Sequence, residues 1–427
     1  MINTIPDLHR LKNGIRLLTF PLSGTETITA LILIKVGSRN EENQFAGISH
    51  FLEHLLFKGT KKRPSPIAIA QEIESVGGHF NAFTTKEYTG FYITAAYCHI
   101  ELVLDILCDI LTNSLFDANE VERERGVILE EMRLYFDTPS EYIGELFESL
   151  LYGEQPLGKD IVGNFETVRL ISRKDFVRYI HQHYIGANIV VTLCGKLSPP
   201  AIKKAKTFFE QFHDGKSKGF EGMREAQEKP ALLIKDKETN QAHVALGFRT
   251  FGISDPSREA LDLLATLLGG EKSSRMFVQV RDKLGLAYYI STDANYYADA
   301  GYLATFAGVN IDNIDLAIRT ILQEYRKVRE EGVSQRELLK VKEYIKGRLL
   351  IELESSFRMA RLISSKELLL ERRESLKEYF FRLEAIVPKD IMRLAQRVFQ
   401  SNRLNLAIIG PFKDQERFLR LLSVPPF

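Results

Sequence analysis

The chain has little cysteine. Its 427 residues include only Cys98, Cys108 and Cys194, and none of them belongs to a CxxC pair. An odd number of isolated cysteines argues against a disulfide framework and against a zinc site built from cysteines. We therefore expect buried, apolar thiols in a reducing compartment.

The chain also lacks an excess of charge and a long apolar run. It carries 57 basic and 56 acidic residues, a formal net charge of +1, which provides no electrostatic footprint for nucleic acid or an anionic membrane. No apolar run reaches the ~18 residues that a membrane-spanning helix needs. Residues 1–20 have the layout of neither a secretory signal nor a transit peptide. We therefore expect a soluble, cytoplasmic protein without nucleic-acid or membrane partners.

What the sequence does contain is an alternation of strand and helix signals that starts again half-way along the chain. In the first half, strands are predicted at 27–37 and, as one long aromatic and threonine-rich strand, at 79–97. In the second half, strands are predicted at 241–252 and 302–309. Segment 213–230 is glycine-rich, charged and without periodicity, so we predict a linker there.

The two halves have similar spacing, since Gly195 and Gly410 end similar strand-like stretches and are 215 residues apart. An internal duplication of about 200 residues explains this pattern. We therefore predict an α+β fold of two similar domains, 1–212 and 231–427, separated by the linker. Each domain is expected to be a mainly antiparallel sheet with helices packed on one face.

The stretch GISHFLEHLLFKGT, residues 47–60, places His50, Glu53 and His54 in an otherwise apolar run. Burying such groups without partners costs several kcal/mol. On a helix, the two histidines are i and i+4, so both imidazoles project from one face and can bind the same ion. H-x-x-E-H is the inverse of H-E-x-x-H and is used by zinc peptidases in which the glutamate is the general base. The second half has apolar residues such as Leu264 in the corresponding region, which favours a chemical role for these groups.

A catalytic zinc takes three protein ligands and leaves a position for water, so one ligand is still missing. The helix predicted for NEVERERGVILEEMRLYF carries Glu124 and Glu131 seven residues apart and therefore on one side. Glu131 is the predicted third ligand, and Glu124 is the predicted partner that fixes a histidine tautomer. Glu130 points about 100° away and is the less favoured ligand. The alternative, two satisfied core histidines, is disfavoured because chance gives about 0.01 such patterns per chain.

These motifs resemble the pitrilysin or insulinase family of zinc metallopeptidases, specifically the half-length members related to mitochondrial processing peptidase. In that family a ligand glutamate follows H-x-x-E-H after a long gap, in an ER..VI..E helix. Here ERGVILEEM supplies it, with 76 residues between His54 and Glu131. The stretch GGHFNAFTTKEYTGFY is similar to the family's GG..NA.T....T.Y strand. The resemblance extends over nearly the whole chain and implies a zinc endopeptidase with one Zn²⁺ per chain, in which Glu53 activates water.

The resemblance also implies residues that bind substrate. The stretch SSRMFVQVRDKLGLAYYIS resembles the family's C-terminal segment that carries an arginine and a tyrosine, and the match gives Arg281 and Tyr288. A guanidinium can hold a substrate carbonyl and a phenol can donate to an oxyanion. Asn81, Ala82 and Phe83 match the edge strand of the family, along which a peptide is added as an extra β-strand.

Family members with four such domains form a clamshell, whereas this chain has two and would form one half of it. The resemblance therefore implies a homodimer with composite active sites, in which each subunit completes its partner's site. Two alternatives stay open: a non-catalytic scaffold subunit of the same fold, and dedicated processing of one peptide precursor. The intact H-x-x-E-H disfavours the scaffold. His181 and His183 form an H-x-H pair without a third ligand and are expected at the surface or in packing, and His79 lies beside the binding strand.

Overall fold

The structure is a computed structural model and describes residues 3–423. The strands are β1 (Asp7–Arg10), β2 (Arg16–Pro21), β3 (Thr27–Ile34), β4 (His79–Thr84), β5 (Thr89–Ala96), β6 (Ile189–Gly195), β7 (Ala231–Asp236), β8 (Ala242–Thr250), β9 (Ala287–Tyr296), β10 (Gly301–Val309) and β11 (Leu404–Gly410). The α-helices are α1 (Ile48–Leu56), α2 (Pro66–Glu74), α3 (Ile100–Thr112), α4 (Ala118–Asp137), α5 (Pro139–Tyr152), α6 (Phe165–Leu170), α7 (Arg173–His183), α8 (Pro199–Phe209), α9 (Arg258–Ala265), α10 (Ile314–Glu331), α11 (Gln335–Glu352), α12 (Ser356–Leu370), α13 (Leu376–Ala385), α14 (Pro388–Val398) and α15 (Gln415–Ser423). No helix within the described residues combines the length and the apolarity needed to cross a membrane.

The chain divides into two compact units, each with its own sheet. The first unit contains the residues up to Arg133, Lys159–Glu221 and Leu349–Glu378, and the second contains Leu134–Gly158, Gly222–Arg348 and the residues from Tyr379 onward. The passage from Glu221 to Gly222 lies inside the predicted linker. The predicted boundaries place segment 134–158 in the first domain and segment 349–378 in the second. In the structure, 134–158 belongs to the second unit and 349–378 to the first, because each segment contributes a helix that packs on the sheet of that unit.

The two sheets have matching topology. The strand order is β1-β2-β6-β3-β5-β4 in the first sheet and β7-β11-β8-β10-β9 in the second. β6 runs parallel to β2 and β11 runs parallel to β7, whereas the other strand pairs are antiparallel. The prediction of an α+β fold with two similar, mainly antiparallel sheets is confirmed.

In the first unit, α12 covers one face of the sheet. Ser356 Oγ lies 2.8 Å from Thr29 Oγ1, and Ser364 Oγ donates to Thr192 Oγ1 at 2.6 Å. Every residue of β3 after Thr27 is buried, so this strand is covered on both faces. The first sheet therefore has helices on both faces, and not on one face as predicted. Helix α12, which covers the second face, comes from the second half of the sequence.

In the second unit, α5 plays the same part. Its residues Ile143, Phe147 and Leu151 are buried in one cluster with Tyr302 of β10. The rings of Phe147 and Tyr302 meet edge to face at 5.5 Å. Each sheet thus requires a helix from the other half of the chain to bury its second face.

The stretch 79–97, predicted as one long strand, is an antiparallel hairpin of β4 and β5. The pairing joins His79 with Thr94 at the open end. At the turn, the Thr85 N–H donates to the Tyr88 carbonyl at 2.9 Å, and the Thr85 hydroxyl donates to the same carbonyl. The prediction of a single strand is wrong because the turn contains neither glycine nor proline, the residues that most strongly mark a chain reversal.

The cysteines agree with the sequence in part. All three are free, and Cys108 and Cys194 are buried as predicted. Cys98 is exposed, so the prediction of a buried thiol is wrong there. It lies in the short 3-10 turn that follows β5, where the chain leaves the sheet.

Candidate metal centre

Helix α1 is held in place by its apolar face and by its first turn. Phe51, Leu52 and Leu55 are buried, which leaves the opposite side of the helix for the polar residues. At the N-terminus, the buried carboxylate of Glu41 accepts hydrogen bonds from the backbone N–H groups of Gly47 at 2.7 Å and Ser49 at 2.8 Å. These bonds satisfy donors that have no partner within a helix and fix where α1 begins.

Three of the predicted residues converge. Glu131 on α4 places Oε1 3.8 Å from His50 Nε2 and Oε2 3.6 Å from His54 Nε2. One ligand atom from each of the three lies within 4.8 Å of the other two. Two ligands of a tetrahedral zinc, each about 2.1 Å from the ion, are about 3.4 Å apart. The two separations between histidine and carboxylate are wider than this by about 0.2 and 0.4 Å, each measured to a different oxygen of Glu131.

His54 is oriented by Glu124. Its Nδ1 lies 2.8 Å from Glu124 Oε1, and the other oxygen of this buried carboxylate lies 2.7 Å from Lys58 Nζ. A carboxylate only accepts hydrogen bonds, so Nδ1 carries the proton and the lone pair of Nε2 faces Glu131. Glu124 therefore has the contact that the sequence predicted for it.

The electrostatics of the two histidines suit a metal ligand pair. Burial, together with the neighbouring His54, lowers the pKa of His50 to about 3, so its imidazole is neutral. Burial also acts to lower the pKa of His54, but the hydrogen bond that His54 donates to Glu124 and the charges of Glu131 and Glu124 outweigh it and raise that pKa. The raised pKa of His54 reflects the negative carboxylates around it, and a zinc ion would take the place of the proton that they attract. Two imidazole nitrogens with one carboxylate form a donor set that zinc commonly binds. The residues therefore fit a zinc ion.

Glu53 stands apart from the three ligands. Its Oε2 accepts a hydrogen bond of 2.6 Å from the Thr84 hydroxyl at the end of β4. Burial raises the pKa of Glu53, and the negative charge of Glu131 raises it further. Glu130, the less favoured ligand, is exposed and paired with Arg133 on α4. Glu53 is thus a fixed carboxylate beside the cluster, in a position suited to a base and not to a ligand.

Asn81, Ala82 and Phe83 lie in β4, which is the edge strand of the first sheet. The Ala82 N–H donates to the side chain of Asn81 at 2.8 Å, and Asn81 is exposed. β4 therefore offers an edge to which a strand can be added. Peptide binding at this edge stays a prediction.

Arg281 and Tyr288 belong to the second unit, whereas the metal cluster belongs to the first. Arg281 lies in a π-helical segment with its guanidinium 4.8 Å from the ring centre of Phe277. Tyr288, in the edge strand β9, is 64% exposed. Both side chains are accessible, and their role towards substrate stays a prediction.

The remaining histidines hold no metal cluster within the described residues. His181 is exposed, and the His183 ring packs 4.5 Å from Tyr179. His79 is exposed, with its ring 5.8 Å from that of Tyr92.

Sequence reasoning missed two residues of the site, Glu41 and Thr84. The alternation of β4 could have found Thr84, since it lies on the same face as Phe80, whose ring packs against Phe57 just after α1. Glu41 precedes the helix in an irregular segment, and only the general preference for an acidic group near a helix N-terminus points to it.

Comparison with known proteins identifies the family. Residues 20–164 match the family described as Insulinase (Peptidase family M16), and residues 170–345 match the Peptidase M16 inactive domain. The chain is 33% identical over 404 residues to the uncharacterized zinc protease YmxG of Bacillus subtilis, covering 94% of this chain and 98% of that protein. This chain belongs to peptidase family M16. The predicted membership of the insulinase family, as a half-length member, is confirmed.

Solved structures agree with the M16 assignment. A protease from Helicobacter pylori superposes with a TM-score of 0.89 at 25% identity, over 95% of this chain and 99% of that one. A Peptidase M16 inactive domain from Pseudomonas fluorescens superposes with a TM-score of 0.87 at 16% identity, over 96% and 99% of the two chains. At that identity the second likeness concerns the fold alone. Because the M16 relatives are named zinc proteases, they support a zinc-dependent peptidase.

Proposed function

We propose that this M16 protein is a zinc-dependent endopeptidase. One observation carries the proposal: His50, His54 and Glu131 place three ligand atoms within 4.8 Å of one another, with the carboxylate of Glu53 fixed beside them. Two helices and one strand position these groups, although α1 and α4 are far apart in sequence. The packing of the fold does not by itself require two neighbouring imidazoles on α1 to face a carboxylate on the distant helix α4.

In this proposal the residues divide the chemistry between them. A zinc ion held by His50, His54 and Glu131 supplies a Lewis acid, which lowers the pKa of water and polarises a peptide carbonyl. Glu53 accepts the proton of the attacking water and passes it to the leaving amine. The raised pKa of Glu53 makes it a stronger base towards water, and a pKa nearer to the working pH suits a group that must both take up and release a proton.

The substrate we propose is a peptide or an unfolded segment, bound as an added strand on β4. Main-chain pairing with the edge strand depends little on the side chains of the peptide. The strand ends at Thr84, which contacts Glu53, so a peptide along β4 would be led to the base. This favours an endopeptidase of broad specificity, with dedicated processing of one precursor as the alternative.

We further propose a homodimer in which Arg281 and Tyr288 of one subunit serve the zinc site of the other. In that arrangement they would steady the developing oxyanion or the peptide backbone. The free thiols support a reducing compartment, and we propose the cytoplasm. A non-catalytic scaffold is the second candidate, since residues 170–345 match a domain called inactive. That match does not include the residues of the metal cluster, so it leaves the catalytic proposal standing.

The proposal is tested with Glu53→Gln and, as a matched control, Glu130→Gln on the exposed side of α4. We expect Glu53→Gln to keep one zinc per chain but to lower peptide hydrolysis by about 10²–10⁴-fold, because the ligands remain and the base is lost. Zinc is measured by elemental analysis, and hydrolysis by mass spectrometry of a mixed peptide digest.

Glu130→Gln should keep both the zinc and the activity. Hydrolysis by Glu53→Gln at the wild-type rate would remove Glu53 as the base. Wild-type protein that binds zinc but cleaves no peptide would favour the scaffold.

A further inference from the structure

The two faces of β4 have different neighbours. On one face, the ring of Phe80 packs 5.2 Å from Phe57, and Thr84 contacts Glu53, so this face looks towards the metal centre. The other face carries Phe83, whose ring lies across the backbone of Gly90, where any Cβ would collide with it at 2.3 Å. A strand added to β4 would point alternate side chains to the two faces.

The face of β4 away from the metal lies beside α12. Gly90 and Tyr92 alternate along β5 and point the same way, and the Tyr92 ring stacks on Phe357 of α12 at 3.9 Å. One turn later, Arg361 places its guanidinium 5.0 Å from the ring centre of Phe83. Strand β4 and helix α12 therefore share a surface on which the Arg361 guanidinium lies over the Phe83 ring.

Arg361 differs from other cations of the first unit that lie over aromatic rings. Arg39, Arg125 and Arg178 each lie over a phenylalanine ring and also pair with a carboxylate. Arg361 is exposed, and no carboxylate of the described residues lies within 4.0 Å of it. Its charge lies over the ring of a residue in the edge strand, and within residues 3–423 it has no acidic partner.

We propose that Arg361 and Phe83 form a subsite for an acidic side chain of the bound peptide. This rests on the proposed binding of peptides to β4. Residues directly opposite on neighbouring strands have Cβ atoms about 4.5–5.5 Å apart, so a peptide side chain opposite Phe83 starts beside that residue, on the same face of the sheet as Arg361, while the Phe83 ring leans over Gly90. A glutamate there brings its carboxylate to the guanidinium, whose paired N–H groups match a carboxylate in shape. Selection for one acidic position would thus be added to otherwise sequence-tolerant main-chain pairing.

The test uses one peptide of known cleavage site, remade with glutamate, glutamine or lysine at each position in turn. We expect the wild-type zinc enzyme to prefer glutamate over glutamine about two- to fivefold in kcat/KM at one position, the range for an exposed ion pair. Added salt should weaken this preference. In Arg361→Gln the ratio should fall to about one, and Arg361→Glu should prefer lysine at the same position. The control Arg358→Gln, also exposed on α12, should keep the wild-type ratio.

Equal glutamate-to-glutamine ratios in wild type and Arg361→Gln would overturn the subsite while leaving the peptidase intact. The same peptides are also bound to zinc-loaded Glu53→Gln protein, with affinity measured by fluorescence anisotropy. If the wild type cleaves no peptide, the peptidase proposal falls, and the anisotropy still decides the subsite. A stronger binding of the glutamate peptide that disappears in the double variant with Arg361→Gln supports it, and equal binding of the peptides contradicts it.

Discussion

At the scale of the residue, helix α1 depends on a carboxylate outside it. Glu41 is buried and accepts two backbone N–H groups from the first turn of α1. Burial raises the pKa of Glu41 to about 7, although the hydrogen bonds from Ser49 and Gly47 act to lower it. This residue therefore links the start of α1 to pH.

Glu41 should make the free energy of unfolding fall as the pH rises from about 4.5 to 7. In this window the unfolded chain ionises the carboxyl while the folded chain still holds the proton, so the unfolded state is favoured as protons are removed. The full difference, from the ordinary value of 4.5 to about 7, corresponds to ~3 kcal/mol. Chemical denaturation of metal-free protein at several pH values measures it, and Glu41→Gln should flatten the profile by this amount.

The exposed neighbour Glu42 supplies the control, since Glu42→Gln should leave the pH profile of the wild type unchanged. Profiles that run parallel in wild type and Glu41→Gln would contradict the assignment.

The sequence predicted the metal residues because their spacing is helical. His50 and His54 are four apart, and Glu124 and Glu131 are seven apart, so the relation within each pair follows from one helix. That α1 and α4 meet was inferred from the need for a third ligand and was then supported by the family resemblance, since periodicity describes single elements only. Glu41 was missed, because its partners are backbone N–H groups that only the folded path of residues 41–49 brings to it, and the general preference for an acidic group near a helix N-terminus is a weak signal.

At the scale of the element, β4 combines an open edge with two different faces. Its paired edge is bound to β5, and the Ala82 N–H is occupied by the neighbouring Asn81 side chain and not by a strand. An added peptide would replace that local hydrogen bond with strand pairing. In this mode of binding, the backbone of the peptide contributes more than its side chains.

N-methylation of a cleaved peptide should therefore weaken hydrolysis with a period of two. Methyl groups on amides that face β4 remove a hydrogen bond and obstruct the pairing, so kcat/KM should fall about tenfold or more. Methyl groups on the alternate amides, which point away from β4, should have a small effect. Steady-state hydrolysis of a methylated peptide series measures this, and losses without alternation along the series would argue against strand addition.

Element types were easier to predict than their ends. Strand β3 falls inside the predicted stretch 27–37, and β10 coincides with 302–309 to within one residue. The prediction of one long strand at 79–97 failed because β4 and β5 both contain aromatic residues and threonine, and the turn between them carries no glycine or proline. The local hydrophobic pattern predicts the type of an element, whereas a chain reversal without glycine or proline is fixed by the pairing of the two strands around it.

At the scale of the whole molecule, the duplication is visible in the sequence but the exchange of helices is not. Helix α5 lies in the first half of the sequence but packs on the second sheet, and α12 lies in the second half but packs on the first sheet. Small hydroxyl residues of α12, Ser356 and Ser364, meet Thr29 and Thr192 of the sheet. Such residues carry no strong signal of burial, so the partner of α12 could not be read from its pattern.

A homodimer with composite sites predicts complementation between inactive variants. Glu53→Gln lacks the base, and Arg281→Ala lacks the proposed substrate contact, so each alone should be nearly inactive. After mixing under conditions that exchange subunits, half of the dimers carry one intact site, and about a quarter of wild-type activity should return. Hydrolysis before and after exchange measures it, with Glu53→Gln mixed with His50→Ala as a pair that should restore nothing. Activity that stays at the level of the separate variants would contradict composite sites.

If the proposal holds, one zinc ion binds to three side chains of this chain, two from α1 and one from α4. Anomalous diffraction at the zinc edge, from crystals grown without added metal, locates that ion. We predict one peak per chain about 2.0–2.2 Å from His50 Nε2, His54 Nε2 and one oxygen of Glu131. A peak at other residues, or zinc-replete crystals without a peak between these three side chains, would contradict the account.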